Sequence, residues 1–208
     1  MTKIMVCGIG TGIGKTVVSA ILATAFNADY WKPIQTGDEN ASDPVLMRKL
    51  LEPSSTVFPP SYSLKARLSP HHAASLEKTV INCDRIVPPV TSRPIIIEGV
   101  GGILVPLTSK KTSLDIFKTW DCRWIVVSQH YLGSINHTLL TLETLKARNI
   151  PVVGVIFNGE PNPHSEEAIL ESSQLPLLCR LLPEADINKT TIQKYAAQWK
   201  KPLSHLIA

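Results

Sequence analysis

Val6-Cys7-Gly8-Ile9-Gly10-Thr11-Gly12-Ile13-Gly14-Lys15-Thr16 follows an apolar run, Ile4 to Val6, and opens a run with helical spacing, Val17 to Phe26. A glycine-rich turn between a strand and a helix aims successive backbone N–H groups into one concavity, where they cradle phosphate oxygens. The following helix points the positive end of its dipole at the same anion. In that setting Lys15 neutralises the β- and γ-phosphates, and the Thr16 hydroxyl is placed to ligate Mg²⁺. The usual spacing puts four residues between the first glycine and the Gly-Lys pair. Here position 9 is Ile and the first glycine is Gly8, so five residues separate it from Gly14. The stretch predicts binding of ATP or GTP.

Outward from this loop, apolar runs end at Val6, Trp31, Ile97, Val127, Ile156 and Leu182, each bounded by Gly, Pro, Ser or Asn and most separated by helical periodicity. This alternation predicts an α/β, three-layer, P-loop NTPase-like fold, with a mostly parallel central sheet and helices on both faces. The runs Pro94 to Glu98, Arg123 to Ser128 and Pro151 to Asn158 are rich in Ile and Val, as strands buried on both sides require. Ligands then gather at the carboxyl ends of the strands. The segment from Pro53 to Arg93 is broken by six prolines and is expected to cover or border the site, with short helices near Asp43 to Leu51 and Pro70 to Glu77. One domain, residues 1–208, is expected.

The 208 residues are 44% apolar, enough for one good core. A net charge of +4, from 21 basic and 17 acidic residues without any Lys/Arg block, gives no footprint for nucleic acid. Cys7, Cys83, Cys122 and Cys179 form no CxxC pair and are expected as buried, reduced thiols. A strand and phosphate loop within the first sixteen residues leave no place for a leader, and no apolar run is as long as a membrane span. A soluble, cytoplasmic protein is expected.

Glu98 ends the run Ile95-Ile96-Ile97 and meets the turn Gly99-Val100-Gly101-Gly102, which predicts a carboxylate at the carboxyl end of a central strand, suited to Mg²⁺. Asp43 stands before Pro44 and a helical run, where capping is its ordinary role. Lys32, in Trp31-Lys32-Pro33, reads equally as a solvated lysine or a site group. His71 and His72 lack ligand spacing and read as local packing; His130 and His137 have no partner in the sequence. Leu132-Gly133-Ser134-Ile135-Asn136-His137 precedes the helical run Thr138 to Ala147, so its first-turn amides could receive a carboxylate or Ser134 could simply cap it.

Taken together, the loop Gly8 to Thr16, Trp31-Lys32-Pro33-Ile34-Gln35-Thr36-Gly37, Ser42-Asp43, Leu68-Ser69-Pro70-His71, Glu98-Gly99-Val100-Gly101-Gly102 with Val105-Pro106-Leu107, and Leu132 to His137 resemble the dethiobiotin synthetase family across nearly the whole chain. The resemblance implies that Thr16, Asp43 and Glu98 hold Mg²⁺ while Lys15 and Lys32 flank the phosphates and the reacting carbamate. It implies that Gly12, Ile13, Gly14, Lys15, Thr16 and Val17 bind the nucleotide phosphates, that Asn158 reads adenine, and that Pro183, Glu184 and Ala185 border the base. Thr36 stands where the family contacts its substrate. Gly133, Ser134, Ile135 and Asn136 resemble the turn that receives the carboxylate of 7,8-diaminononanoate across a homodimer interface.

The implied reaction joins CO₂ to the 7-amino group as a carbamate, which takes the γ-phosphoryl group of ATP, and the 8-amino group then closes the ring and expels phosphate. Gly10 and Gly12 depart from the family, which often carries acids there, and Gly159 replaces a common acidic residue after Asn158. Three other readings compete: a partner-regulated switch ATPase of the deviant P-loop group, a glutamine-dependent amidase of corrin synthesis, and a silent binding module. The switch group carries a Lys where Gly10 stands. The amidase continues into a glutaminase domain for which this length leaves no room, and the silent module fits poorly with Lys15, Thr16, Asp43 and Glu98 together.

Overall fold

The computed structural model describes residues 1–37 and 39–207, apart from the side chain of Glu39. In chain order the elements are β1 (Lys3–Gly8), α1 (Lys15–Phe26), β2 (Asp29–Trp31), β3 (Ile34–Thr36), α2 (Asp43–Leu50), β4 (Val57–Phe58), β5 (Tyr62–Leu64) and α3 (Pro70–Leu76). They continue with β6 (Ile95–Glu98), α4 (Ser113–Phe117), β7 (Arg123–Gln129), α5 (Ser134–Ala147), β8 (Val152–Asn158), α6 (Pro163–Ser173), β9 (Leu177–Leu181) and α7 (Lys189–Lys200). Among the described residues, seven strands form one sheet in the order β4-β2-β6-β1-β7-β8-β9, every pairing parallel.

The expected two-sided burial is realised residue by residue. Ile4, Val6, Ile96, Ile125, Val127 and Ile156 face one core, where α1, α2 and α7 pack. Met5, Cys7, Ile95, Ile97, Trp124, Val126 and Phe157 face the other, under α3 to α6. This is the period-2 alternation of strands covered on both sides. Helix α1 is apolar nearly all round because the sheet lies on one side of it and α7 on another. All four cysteines are unpaired, and burial pushes the Cys7 thiol up to about 12. No helix among the described residues is long and apolar enough to cross a membrane.

Two helix starts and the content of the proline-rich segment differ from expectation. Helix α1 starts at Lys15 and α5 at Ser134, each earlier than its apolar run, because polar first turns carry no hydrophobic period. The proline-rich segment holds, besides α3, the edge strand β4 and the strand β5, which pairs with β3 in a small separate parallel sheet. Strands of two or three residues are too short to show alternation.

Asp29 anchors the start of β2. It is buried, its Oδ1 accepts from the Thr56 backbone N–H at 2.8 Å, its Oδ2 accepts from the Thr91 hydroxyl at 2.5 Å, and Arg93 Nη1 lies 3.9 Å from Oδ1. These bonds join β2 to the segments leading into β4 and β6, and β2 in turn presents Lys32. Asp29→Ala leaves the Thr56 amide unsatisfied, so urea denaturation at neutral pH should show a loss of about 2–4 kcal/mol.

Candidate active site

The loop between β1 and α1 takes a path that glycine alone adopts easily. Gly12 has φ 76° and Gly14 φ 93°, and a Cβ on Gly14 would lie 2.4 Å from Asn158 Nδ2. Asn158, at the end of β8, donates that nitrogen to the Ile13 carbonyl at 3.0 Å. The loop is thus pinned from two strands away. Lys15 is 6% exposed and donates to the Gly10 carbonyl at 2.5 Å. Burial pushes its ammonium down to about 8, with nearby Lys32 adding to the effect and Glu98 opposing it.

Four chain segments meet beside it. Thr16 Oγ1, in the first turn of α1, lies 3.1 Å from Asp43 Oδ1 and 3.0 Å from Glu98 Oε1. Lys32 Nζ donates to Asp43 Oδ2 and, at 3.1 Å, to Glu98 Oε1. Glu98 is 1% exposed, and its Oε2 accepts from the Tyr30 hydroxyl at 2.7 Å. Burial alone would lower the Lys32 ammonium, but Glu98 and Asp43 outweigh it and hold it above the ordinary lysine value.

A local reading of Asp43 as a helix cap is overturned. Ser42 occupies the cap position, Asp43 is the first residue of α2, and its carboxylate turns away to Lys32 and Thr16. Lys32 is buried rather than solvated, and Glu98 faces the interior.

Lys32 and Asp43 line a cavity of about 660 Å³ together with Thr36, Thr11, Gln35 and Arg67. The last three were not singled out from sequence. Thr11 lies inside the quoted loop and is its one hydroxyl besides Thr16, a signal that was available; nothing local marks Gln35 or Arg67. The chemistry of the donors fits a hard dication: three oxygens, from one hydroxyl and two carboxylates, converge, and the one hydroxyl hydrogen cannot serve both carboxylates. Among the described residues no group of three or more His, Cys, Asp or Glu could hold a metal, so such a cation would share its shell with the hydroxyl and with ligand oxygens.

The remaining candidates lie apart from this cavity. Gly133 (φ 99°) caps α5 and Ser134 makes no side-chain cap, while Ile135 and Asn136 are exposed. This turn flanks a second depression of about 460 Å³ lined by Leu104, Tyr131 and Leu140. Pro183, Glu184 and Ala185 follow β9 beside the end of β8, where the Gly159 N–H meets the Leu181 carbonyl at 2.9 Å. Glu184 Oε1 accepts from Lys194 and from Tyr195, each at 2.8 Å, which ties the loop to α7. His71 packs locally on Ser69 at 3.1 Å, as expected. His130, left without a partner in the sequence, lies 3.3 Å from buried Glu166 and stacks on Phe157.

A family model described as an AAA domain matches residues 2–191. The chain is 45% identical over 201 residues to the ATP-dependent dethiobiotin synthetase BioD of Chlamydia pneumoniae, covering 97% of this chain and 90% of that one. It is 41% identical over 202 residues to the ATP-dependent dethiobiotin synthetase BioD of Christiangramia forsetii, covering 97% of each. Among solved structures, the septum site-determining protein MinD of Pyrococcus horikoshii, complexed with Mg-ADP, superposes with a TM-score of 0.60 at 15% identity, over 99% of this chain and 93% of that one. The last likeness is one of fold.

Lys32→Met should leave two neighbouring carboxylates without their cation, a loss of about 3 kcal/mol near pH 8. In the wild type the contribution of the raised Lys32 is fully present at this pH and is lost as pH climbs past the ordinary lysine value toward the higher folded one. Urea denaturation of both proteins near pH 8 measures the difference.

Proposed function

The chain belongs to the ATP-dependent dethiobiotin synthetase family, and from that premise we propose that it carboxylates 7,8-diaminononanoate with CO₂ and closes the ureido ring, releasing ADP and phosphate. It is an enzyme, a ligase that makes dethiobiotin with ATP as co-substrate. The observation that carries the finer reading is the convergence of Thr16, Lys32, Asp43 and Glu98 at the phosphate loop, with Lys32 and Asp43 on the wall of a cavity that Thr36 also lines.

The 7-amino nitrogen adds to CO₂ and loses a proton, giving a carbamate. A carbamate oxygen bonds to the γ-phosphorus as the bond to ADP breaks, forming a carbamic-phosphoric anhydride. The 8-amino nitrogen then attacks the carbonyl carbon, the C–O bond to phosphate breaks, and the ring closes. The attacking oxygen already carries charge, so no protein base is needed at phosphoryl transfer. The work of the chain is to position two anions against each other and neutralise them. Lys15 and Lys32 supply that charge from buried positions, where it acts most strongly. Magnesium, held by Thr16 Oγ1 and the carboxylates of Asp43 and Glu98, would neutralise the triphosphate oxygens as transfer proceeds.

The backbone and side chains of Gly12, Ile13, Gly14, Lys15, Thr16 and Val17 hold the phosphates in this reading. Asn158 Nδ2 is spent on Ile13, which leaves Oδ1 to accept from the amino group of adenine; a guanine carbonyl would repel it. Pro183, Glu184 and Ala185 border the base, and Thr36 contacts the diamine. The turn Gly133 to Asn136 is outside its own cavity, and Leu104, Tyr131, Leu132, Ile135 and Leu140 are exposed around it. That patch supports a homodimer in which the turn of one copy receives the substrate carboxylate of the other on first-turn amides beyond Ser134, whose own N–H donates to the Tyr131 carbonyl at 2.9 Å. Small molecules and a second copy are then the only partners required, as befits a cytoplasmic enzyme.

ADP release with Mg²⁺-ATP and bicarbonate, measured with and without the diamine while dethiobiotin is followed by mass, tests the reaction. Diamine-dependent release with matching product is expected; steady hydrolysis indifferent to the diamine would favour a switch ATPase instead. Lys15→Ala should lower kcat/KM by a factor on the order of 100 or more. For the turn on α5, Asn136→Ala should raise the KM for the diamine by roughly tenfold and leave that for ATP nearly unchanged, and equal effects on both would remove the carboxylate from this turn.

A further inference from the structure

Tyr30 is wholly buried, yet its hydroxyl does not end in an ordinary structural bond; it lies 2.7 Å from Glu98 Oε2. It is the middle residue of β2, in register with Ile96 of β6, and both point into the core beneath α1. Glu98 is two residues beyond Ile96 and so emerges on that same face. The ring alone would be served by Phe. The hydroxyl is spent on a site group.

The two oxygens of Glu98 are thereby made unequal. Oε1 meets the Thr16 hydroxyl at 3.0 Å and the Lys32 ammonium at 3.1 Å. Oε2 is turned into the core toward Tyr30. We infer that Tyr30 is a positioning residue that holds Glu98 so that a single oxygen, Oε1, is presented to the cation accompanying the triphosphate. This rests on the magnesium and ATP reading above. A carboxylate offering one oxygen suits the small, rigid shell of magnesium, whereas calcium accepts both oxygens of a carboxylate in a looser shell. Tyr30 thus biases the site toward magnesium as well as orienting its ligand, much as outer-shell partners tune other metal sites.

The test is cation-dependent binding of a non-hydrolysable ATP analogue, titrated by calorimetry with magnesium and, separately, with calcium. Tyr30→Phe removes one hydroxyl and keeps the ring, and a thermal melt checks that it folds. It should raise the half-saturating magnesium concentration about tenfold while moving that of calcium much less, so the preference for magnesium narrows. General loosening of the fold would move both cations together and leave the ratio intact; an unchanged ratio overturns the inference. Should the Phe variant not fold, Glu98→Asp draws the carboxylate away from Tyr30 and must narrow the ratio too. Glu98→Gln separates the two readings: if it leaves the magnesium dependence of nucleotide binding unaltered, the magnesium reading itself fails. If it weakens that dependence while Tyr30→Phe behaves as wild type, only the role of Tyr30 fails.

Discussion

A carboxylate buried at the end of a central strand cannot stay ionised without compensation, and the site is organised around meeting that demand for Glu98. Its neighbours come from distinct segments: Lys32 just beyond β2, Thr16 at the start of α1, and Tyr30 within β2. Lys32 balances one carboxylate, and Asp43 at the start of α2 brings a second acid to the same ammonium. Two acids against one ammonium leave a negative charge over, and Lys15, a short way along the loop, makes no ion pair among the described residues. Its lowered affinity for protons, down to about 8, is the cost of desolvation there. A polyanion entering the loop would offset that cost, and this is why the phosphate loop and the acid cluster work as one site rather than two.

The sheet order makes the meeting possible. β1 lies between β6 and β7, so the loop leaving β1 passes directly beside the ends of the strands that carry Glu98 and Gln129. β2 neighbours β6 in register, Trp31 opposite Ile97, which brings Lys32, just after β2, onto the level of Glu98, the last residue of β6. On the other side, β8 reaches back through Asn158 to the Ile13 carbonyl, and the missing side chain of Gly14 makes room for it. The loop geometry is therefore imposed by the sheet as much as by its own glycines.

How much of this could be read in the chain depended on range. The parallel sheet was legible because Ile and Val runs such as Ile95 to Ile97 and Ile125 to Val127 have no polar face, and two-sided burial leaves no other use for them. The phosphate loop was legible because its residues are contiguous. Asp43 was misread on spacing alone because capping rules see only adjacent residues, while Lys32 is 11 positions away and Thr16 27. His130 fails in the same way, its acid being 36 residues on. β3 and β5 left no trace, since three residues cannot display a period. Where spacing ran out, the resemblance of Trp31 to Gly37 and Ser42-Asp43 to a known family carried the assignment.

One separation remains to be understood: the charged machinery lies within a single chain, while the turn at Gly133 to Asn136 opens onto a different face. In the proposed reaction the substrate is a long aliphatic acid with its amines at one end and its carboxylate at the other. The amine end needs a rigid, buried setting, because small displacements there weaken charge stabilisation at the transferring phosphoryl group. The carboxylate end needs only donors at the right distance, and the uncapped first turn of α5 has them without any lysine or arginine. Placing a cation there instead would set it competing with Lys15 and Lys32 for the triphosphate. A neutral receiver avoids that competition, and covering the exposed Leu132 and Ile135 with a second copy would shield the bound carboxylate from solvent.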